Sequence, residues 1–283
     1  MVYDDEKNLV LTRRFLAVEP LVRIDPRMVR PASMKKSKTH QELDFKVSFE
    51  KLNVKDPKTE IKATIIQNGR WDSAIENVPP YFLYDREVVF DYQDKISFPA
   101  GKEFRFIDIR SFEFRAEGVA AIDEFSDGYE VTLQIDPIRK YEAYSFIRDI
   151  NGAFTIENLH RNIDELESDY AMTLFSLEKS VPYEDSEVYL FGKITDWKIQ
   201  DKFKMKYNER IGGYLLDTQI KQGFYNYAFA VVSDKDKSIS LDHTEGNWYE
   251  TENDYTILIY YKPFGERYDR LVGAYSFNSY LRD

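Results

Sequence analysis

Hydrophobic and polar residues alternate along much of the chain. In residues 43–49, LDFKVSF, every second residue is apolar, and a similar spacing recurs in residues 129–135 and 170–177. A strand with one buried and one solvated face produces this pattern. Asn68-Gly69 and Asp127-Gly128 lie between such runs and favour the tight turns of β-hairpins. We therefore predict an all-β protein.

The spacing of the strands and turns predicts two β-sandwich domains in tandem. Residues 21–137 form the first predicted sandwich and residues 138–283 the second. Residues 1–20 are predicted to be the last strand of a truncated upstream domain plus a linker, because LVLTRRFLAVEP alternates imperfectly and ends at a Glu-Pro pair. Only residues 159–168, LHRNIDELES, have apolar positions at helical spacing. At most one short helix is therefore expected.

Composition favours binding to a protein partner over binding to nucleic acid. The 283 residues include 21 Tyr and 20 Phe, which are enriched in strands and at recognition surfaces. The formal net charge is −11, whereas nonspecific nucleic-acid binding requires a basic surface. The opening MVYDDEKNLVL lacks the positive start of a signal peptide, and no apolar run reaches the ~20 residues of a transmembrane helix. We expect no nucleic-acid partner and no membrane insertion by the chain itself.

Candidates for catalysis or metal binding are few. No cysteine is present, which excludes thiol nucleophiles, disulfides and Cys-based metal sites. His40, His160 and His243 are far apart in sequence and lack the spacing of a helical metal pair. Nucleophile-elbow, P-loop and dinucleotide-binding motifs do not occur. The aspartates of SDKDKSISLD, residues 233–242, alternate with lysines and lack the Gly and Glu of a calcium loop. We predict a noncatalytic protein without a cofactor, a metal or a small-molecule ligand.

Aromatic and basic clusters are the candidates for a partner-binding surface. Tyrosine and phenylalanine anchors bind protein surfaces at low entropic cost. The Pro79-Pro80 pair excludes a central strand just before the first aromatic cluster. Residues 23–38 form a basic stretch in an otherwise acidic chain, although an exposed linker would have the same composition. The candidate partner-binding residues are Tyr81, Phe82, Tyr260, Tyr261, Phe264, Arg27, Arg30, Lys35 and Lys36.

The segment from VYLFGKITDW to FYNYAFAVV resembles immunoglobulin-like modules of the early-set type, including the glycogen-binding modules of starch enzymes. The resemblance implies two immunoglobulin-like sandwiches and a structural role for Trp197, which would cap the end of a core. A sugar-stacking platform, with Trp248 as a second tryptophan, and a contact to a partner are the alternative roles. The residues that carry the resemblance are Gly192, Trp197, Met205, Tyr207, Gly223, Tyr225, Tyr227 and Phe229.

A second resemblance covers nearly the whole chain. The strings RFIDIRS and YYKPFGERYDRLVG, among others in the same order, resemble the plug-protein family of the type IX secretion system. That resemblance implies a noncatalytic periplasmic protein that associates with the very large translocon barrel of the outer membrane. Such a protein closes the pore when no substrate is engaged. From its charge alone, we expect the basic stretch to meet an acidic rim. The resemblance also implies that this chain is a C-terminal fragment without the signal peptide and the first domain.

Two other functions stay open at this point. The first alternative is an α-glucan-binding β-sandwich protein that uses Trp197 and Trp248. The second is a glycan-cleaving enzyme, which would need two carboxylates about 5–10 Å apart in a cleft. The plug function is the leading expectation because the resemblance to that family covers nearly the whole chain.

Overall fold

The computed structural model describes residues 2–3, 5, 7–11, 13–160 and 164–280, and the prediction of an all-β protein is confirmed. In the described part of the chain no helix is long and apolar enough to cross a membrane. The strands are β1 (Val2–Tyr3), β2 (Leu9–Leu11), β3 (Arg23–Val29), β4 (His40–Ser48), β5 (Ile61–Gln67), β6 (Ile75–Val78), β7 (Phe82–Tyr84), β8 (Glu87–Phe90), β9 (Ser97–Pro99), β10 (Arg105–Asp108), β11 (Val119–Phe125), β12 (Gly128–Leu133), β13 (Phe154–Ile156), β14 (Tyr170–Glu178), β15 (Ser186–Phe191), β16 (Lys206–Asn208), β17 (Gly213–Lys221), β18 (Gly223–Ser233), β19 (Ile239–Ser240), β20 (Asp254–Tyr261) and β21 (Arg270–Asn278).

Helical structure is limited to single turns in the described residues. α1 (Pro57–Glu60) was not predicted; it begins where Asp56 accepts a hydrogen bond from the Lys58 amide at 3.2 Å and proline occupies the first turn. α2 (Asp164–Glu167) lies inside the stretch predicted to be helical, of which residues 161–163 lie outside the described residues. Two 3-10 turns, Lys193–Thr195 and Asp201–Phe203, follow β15.

The first hydrophobic core lies between two sheets that we call the flanking sandwich, residues 23–99 and 254–278. One sheet has the order β3-β4-β8-β7, with β9 also on β4, and the other has the order β21-β20-β5-β6. Phe45 and Phe90 stack in this core with their ring centroids 4.4 Å apart. The inward residues of β4 are the apolar members of the alternation at residues 43–49, which explains why that pattern identified the strand.

The second core lies between two sheets that we call the inserted sandwich, residues 105–240. One sheet has the order β11-β12-β14-β17-β16. In the other, the long strand β18 pairs with β10, β13, β15 and β19 along its length. Phe175 and Tyr227 meet edge to face in this core, with centroids 5.2 Å apart.

Strand pairing contradicts the predicted division of the chain at residue 137. β20 pairs with β5 from Tyr255 opposite Gln67 to Tyr261 opposite Ile61, so the C-terminal strands complete the flanking sandwich. β10, β11 and β12 pair within the inserted sandwich although they precede residue 137. Alternation identifies a strand and its buried face but carries no information about its partner, which is why the contiguous division was wrong. The predicted strand in residues 1–20 corresponds to β2, which pairs with β1, while Thr12 lies outside the described residues.

Two chain crossings, residues 100–104 and 241–253, join the two sandwiches. The Gly101 amide donates to Asn247 Oδ1 at 2.8 Å, and the Trp248 amide donates to the Gly101 carbonyl at 2.9 Å. Asn253 Nδ2 donates to the Ala100 carbonyl at 2.9 Å, and Gln41 holds the second crossing through two further backbone carbonyls. Buried polar groups that are paired in this way hold one geometry. We call residues 100–104 and 241–253 the tied chain crossings, because these hydrogen bonds join them to each other.

Candidate interaction surface

The hairpin of β7 and β8 carries the most exposed apolar strand of the flanking sandwich. After Pro79-Pro80, the Tyr81 amide donates to the Val89 carbonyl at 2.9 Å, and β7 pairs with β8 down to Tyr84 opposite Glu87. Asp85 and Arg86 form the two-residue turn, and Arg86 has a φ of 58°. Four consecutive apolar side chains stay exposed: Tyr81 by 55%, Phe82 by 45%, Leu83 by 45% and Tyr84 by 59%. We call residues 81–84 the aromatic edge.

β7 is the terminal strand of its sheet, and no strand of the described residues pairs with its outer side. Tyr84 and Glu87 flank the two-residue turn and therefore form a hydrogen-bonded pair. Hydrogen-bonded and non-hydrogen-bonded pairs alternate in an antiparallel ladder, so the N–H and C=O of Leu83 point away from β8. The aromatic edge thus presents unpaired backbone groups together with apolar side chains.

The aromatic edge is held by neighbouring rings. Tyr81 lies 4.9 Å from the Tyr92 ring and 4.6 Å from the Phe82 ring, measured between centroids. Tyr92 in turn donates from its hydroxyl to the Pro79 carbonyl at 2.9 Å, and Lys95 Nζ lies 4.4 Å from the Tyr92 ring centroid. These contacts fix the strand before any partner binds, which lowers the entropy cost of binding.

Acidic residues surround the aromatic edge. Residues 76–95 contain five carboxylates and two basic residues, Arg86 and Lys95. The carboxylates are Glu76, Asp85, Glu87, Asp91 and Asp94. Four of the five carboxylates are exposed. On the same sheet, burial, followed by the charges of Asp91 and Glu42, raises the pKa of Asp44 to about 6. Arg27, in register with Asp44 on β3, offsets part of this effect on the pKa.

The remaining candidate partner-binding residues do not form one surface with the aromatic edge. Phe264 is 97% exposed in the β20–β21 loop, where its amide donates to Glu60 Oε1 at 3.3 Å. Tyr260 is half-buried against the outer face of its sheet. Tyr261 is only 4% exposed and donates to the Asn53 carbonyl at 2.9 Å, so its side chain is unavailable to a partner. Tyr260 and Tyr261 are neighbours on one strand and therefore lie on opposite faces.

The basic candidates lie on and after β3, at the other edge of the same sheet. Arg27 is exposed and pairs in register with Asp44. Arg30 stacks over the Tyr249 ring at 4.4 Å, and Lys36 pairs with Asp94 at 3.4 Å. Lys35 is exposed. Because β4 and β8 separate β3 from β7, Arg27 lies apart from the aromatic edge, whereas Lys36 neutralises one of the carboxylates near it, Asp94.

The residues that carry the early-set resemblance lie in or against the core of the inserted sandwich. Met205, Tyr225, Tyr227 and Phe229 are buried in it and Tyr207 packs against it. At Gly223 a Cβ atom would lie 2.2 Å from the Thr155 carbonyl oxygen, so only glycine permits this close strand contact. Gly192 begins the 3-10 turn that leads to Trp197. None of these positions offers an exposed side chain.

Trp197 fills the junction between the two sandwiches. The ring is 5% exposed and packs edge to face against Phe104 and Phe191, with centroids 5.8 and 5.5 Å away. Arg70 of the flanking sandwich lies 5.4 Å from the Trp197 ring centroid. The backbone φ is 56°, and the indole N–H has no hydrogen-bond partner among the described residues. A ring enclosed by protein in this way has no free face for stacking on a sugar.

Trp248, the other tryptophan considered for sugar stacking, is half-buried. A Cβ atom added to Gly246 would lie 2.5 Å from the ring, and Lys102 Nζ lies 4.8 Å from its centroid. Trp248 therefore packs against the chain crossings and does not form an open platform with Trp197.

A buried ion network at the start of the inserted sandwich was missed by sequence reasoning. Arg105 pairs with Glu245 at 3.0 Å and with Asp136 at 2.8 Å, and Arg139 pairs with Glu245 at 2.7 Å. The Tyr227 hydroxyl donates to Asp136 Oδ2 at 2.7 Å. A single charged residue gives no sign of its burial in a sequence pattern, and the network joins three separate parts of the chain: Arg105, residues 136–139, and Glu245. Each charged side chain in the network has an oppositely charged partner, which indicates a structural role.

A cavity of about 550 Å³ lies between the sandwiches beside this network. Arg70, Lys102 and Arg139 line it, and each pairs with a carboxylate at 2.7 to 3.1 Å. Among its described lining residues the only histidine, His40, contacts Thr39 Oγ1 through Nδ1 at 2.9 Å. His160 contacts Ser111 elsewhere, and no group of three His, Asp or Glu residues in the described chain could hold a metal ion.

The chain is similar in sequence and fold to a protein of known structure. A hypothetical protein from Parabacteroides merdae, whose crystal structure is known, has 30% sequence identity to the chain and a TM-score of 0.87. The similarity covers 93% of this chain but 66% of that protein, so the chain spans less than two thirds of its relative's length. No protein-family model and no curated protein matches the chain. The fold is therefore shared with a longer protein.

Proposed function

We propose that the chain is a noncatalytic plug protein of the type IX secretion system, located in the periplasm at the outer membrane. It docks on the giant translocon barrel and occludes the pore while no substrate is engaged. In this proposal both sandwiches are immunoglobulin-like modules of the early-set type, with the second inserted into the first. The proposal begins from the sequence resemblance to that family over nearly the whole chain.

The aromatic edge is the observation that carries the proposal. Four consecutive apolar residues, each at least 45% exposed, lie on an unpaired strand edge. Natural proteins usually shield such edges with charge, proline or a covering element, because exposed apolar edges associate with other chains. An apolar edge that is left open and held by neighbouring rings suits a protein that docks on a partner.

The tied chain crossings suit occlusion. A body that closes a pore must keep its shape when it is pressed against the barrel, and a single flexible linker would allow the two sandwiches to move apart. Here two crossings bond to each other through Gly101, Asn247 and Trp248. Trp197 and Arg70 contact each other across the same junction.

The proposal is tested by co-purification. The tagged protein is incubated with detergent-extracted outer membranes that contain the type IX translocon, and the barrel protein is identified by mass spectrometry. We expect the barrel protein to co-purify with the unchanged chain and with Tyr141→Ser, which removes an aromatic ring that is 88% exposed in the segment after β12. The double change Phe82→Ser with Leu83→Ser should abolish co-purification. Failure of the folded, unchanged chain to retain the barrel protein would refute the proposal.

Carbohydrate binding by Trp197 remains the second candidate. The α-glucan function would require a saturable change in tryptophan fluorescence that disappears in Trp197→Ala. The enclosed position of Trp197 favours the plug function over this alternative.

A further inference from the structure

The outward backbone groups of β7 determine what kind of partner fits the aromatic edge. Leu83 turns its N–H and C=O away from β8, and no strand of the described residues pairs on that side. Leu83 offers one N–H and one C=O on that side, and an added strand bonds to both in the regular geometry of a sheet. The complementary structure is therefore an extended polypeptide segment.

The side chains of the aromatic edge contribute to both faces of such a pairing. Within β7, Phe82 and Tyr84 lie on one face and Leu83 on the other, while Tyr81 precedes the strand and its ring contacts Phe82. All four are exposed, because the strand overhangs the core at the edge of the sheet. An incoming strand would cover apolar surface on both faces of β7. Apolar residues at every second position of the partner would therefore contact the aromatic edge.

The charge around the aromatic edge selects among the possible occupants. The hairpin region, residues 76–95, has five carboxylates, one arginine and one lysine, and Lys36 pairs with one of the carboxylates, Asp94. A second copy of the chain would bring the same acidic hairpin to the edge, and each copy carries a net charge of −11. Like charges at an interface are unfavourable, while opposite charges speed association and set the register. A basic strand is the complementary occupant.

We propose that β7 receives an extended, basic strand with alternating apolar residues, which adds to the sheet at Leu83 by backbone hydrogen bonding. The inference rests on the proposed function for the partner's identity, which would be the translocon barrel protein. The chemistry of the occupant comes from β7 and its acidic surroundings alone.

The test uses four synthetic peptides with the full 283-residue chain. The first probe is acetyl-KVTVKVTVK-amide, which combines lysines with alternating valines. The second, EVTVEVTVE, reverses the charge. In the third, KPTVKPTVK, prolines keep the charge but prevent a ladder. The fourth is the first peptide with N-methyl groups on alternate backbone amides. Binding is measured by fluorescence anisotropy, and the location by hydrogen exchange of the segment 79–92.

We expect the lysine peptide to bind at least about tenfold more tightly than the glutamate and proline peptides, with affinity falling as salt is added. Exchange of the Leu83 amide should slow by at least about tenfold at saturation. Leu83→Pro should abolish binding while the melting temperature is retained, because the Leu83 N–H bonds to none of the described residues. Leu83→Thr keeps the backbone donor and should still bind. Tyr141→Ser should bind like the unchanged chain.

Several results would overturn the inference. Equal binding of the proline or the N-methylated peptide would show simple charge attraction without strand addition. Tighter binding of the glutamate peptide, or protection that falls outside residues 79–92, would exclude a basic strand at this edge. A dimer in sedimentation experiments that Leu83→Pro abolishes would identify a second copy as the occupant. If the peptides bind as expected but no barrel protein co-purifies, the proposed function fails while the strand site stands.

Discussion

Replacing Trp197 by alanine separates a structural role of this residue from a sugar-binding role. The ring is 5% exposed and contacts Phe104 and Phe191 edge to face. Truncating a buried tryptophan costs about 3–5 kcal/mol through lost burial and the cavity that remains. The unpaired indole N–H opposes this, because its removal recovers about 1–3 kcal/mol of desolvation. We therefore expect Trp197→Ala to lower the free energy of unfolding by about 2 kcal/mol.

Trp197→Phe separates the effect of the indole N–H from the effect of the ring, because it removes the same N–H but keeps an aromatic side chain. Its effect should stay within about 1 kcal/mol of the unchanged chain. Both variants are measured by urea denaturation followed by far-UV circular dichroism, with the denaturant dependence compared as a check on the transition. If Trp197→Ala is as stable as the unchanged chain and loses a saturable response to α-glucan, the ring is a sugar platform and the assignment to the junction core is wrong.

Three further changes test other parts of the junction and the sheet. Gly152→Ala places a Cβ atom 2.3 Å from the junction tryptophan at a φ of +76°, so the melting temperature should fall further than in Gly265→Ala, which has a φ of +91° but no atom within 4 Å. Arg105→Met leaves Asp136 without its cation, while Glu245 keeps Arg139, and should cost about 3–5 kcal/mol in urea denaturation; adding Asp136→Asn should recover part of that loss, and a purely additive result would contradict it. The pKa of Asp44 is raised to about 6 in the folded chain, so the folded state holds this proton more tightly than the unfolded state and stability should rise as the pH falls from 7.5 towards 5. Asp44→Asn should weaken this pH dependence and gain about 1 kcal/mol at pH 7.5, a value reduced for partial solvent exposure; a loss of stability at pH 7.5 would contradict this.

Alternation located the strands well, because burial of one face leaves a direct trace in the sequence. β4 and β14 lie where residues 43–49 and 170–177 alternate. The predicted turn at Asp127-Gly128 joins β11 to β12, with Phe125 opposite Gly128. The same reasoning could have separated Tyr260 from Tyr261, since Tyr261 is in phase with the buried residues of β20. The prediction grouped the two residues by proximity, although the period-two pattern places them on opposite faces.

Pairing partners and buried charges could not be predicted in this way. β5 and β20 are both apolar strands, and nothing in either sequence specifies the other across the intervening chain. Arg105 and Glu245 each resemble an ordinary surface charge until the fold places them 3.0 Å apart. The exposure of the aromatic edge could be predicted only in part. Pro79-Pro80 indicated an edge strand, but whether β7 extends beyond the core depends on the opposite sheet.

Insertion of one sandwich into the other has a consequence for how the chain reaches its folded state. Ile61 pairs with Tyr261, 200 positions later, so the flanking sandwich cannot close until the last strands have been made. Closing so long a loop in an unfolded chain is entropically costly and slow. If residues 105–240 fold first, their ends emerge side by side at Gly101 and Asn247, and the loop that remains to be closed becomes short. The folded inserted sandwich would then hold the two parts of the flanking sandwich close together. Mutations in the core of the inserted sandwich should therefore slow the folding of both sandwiches.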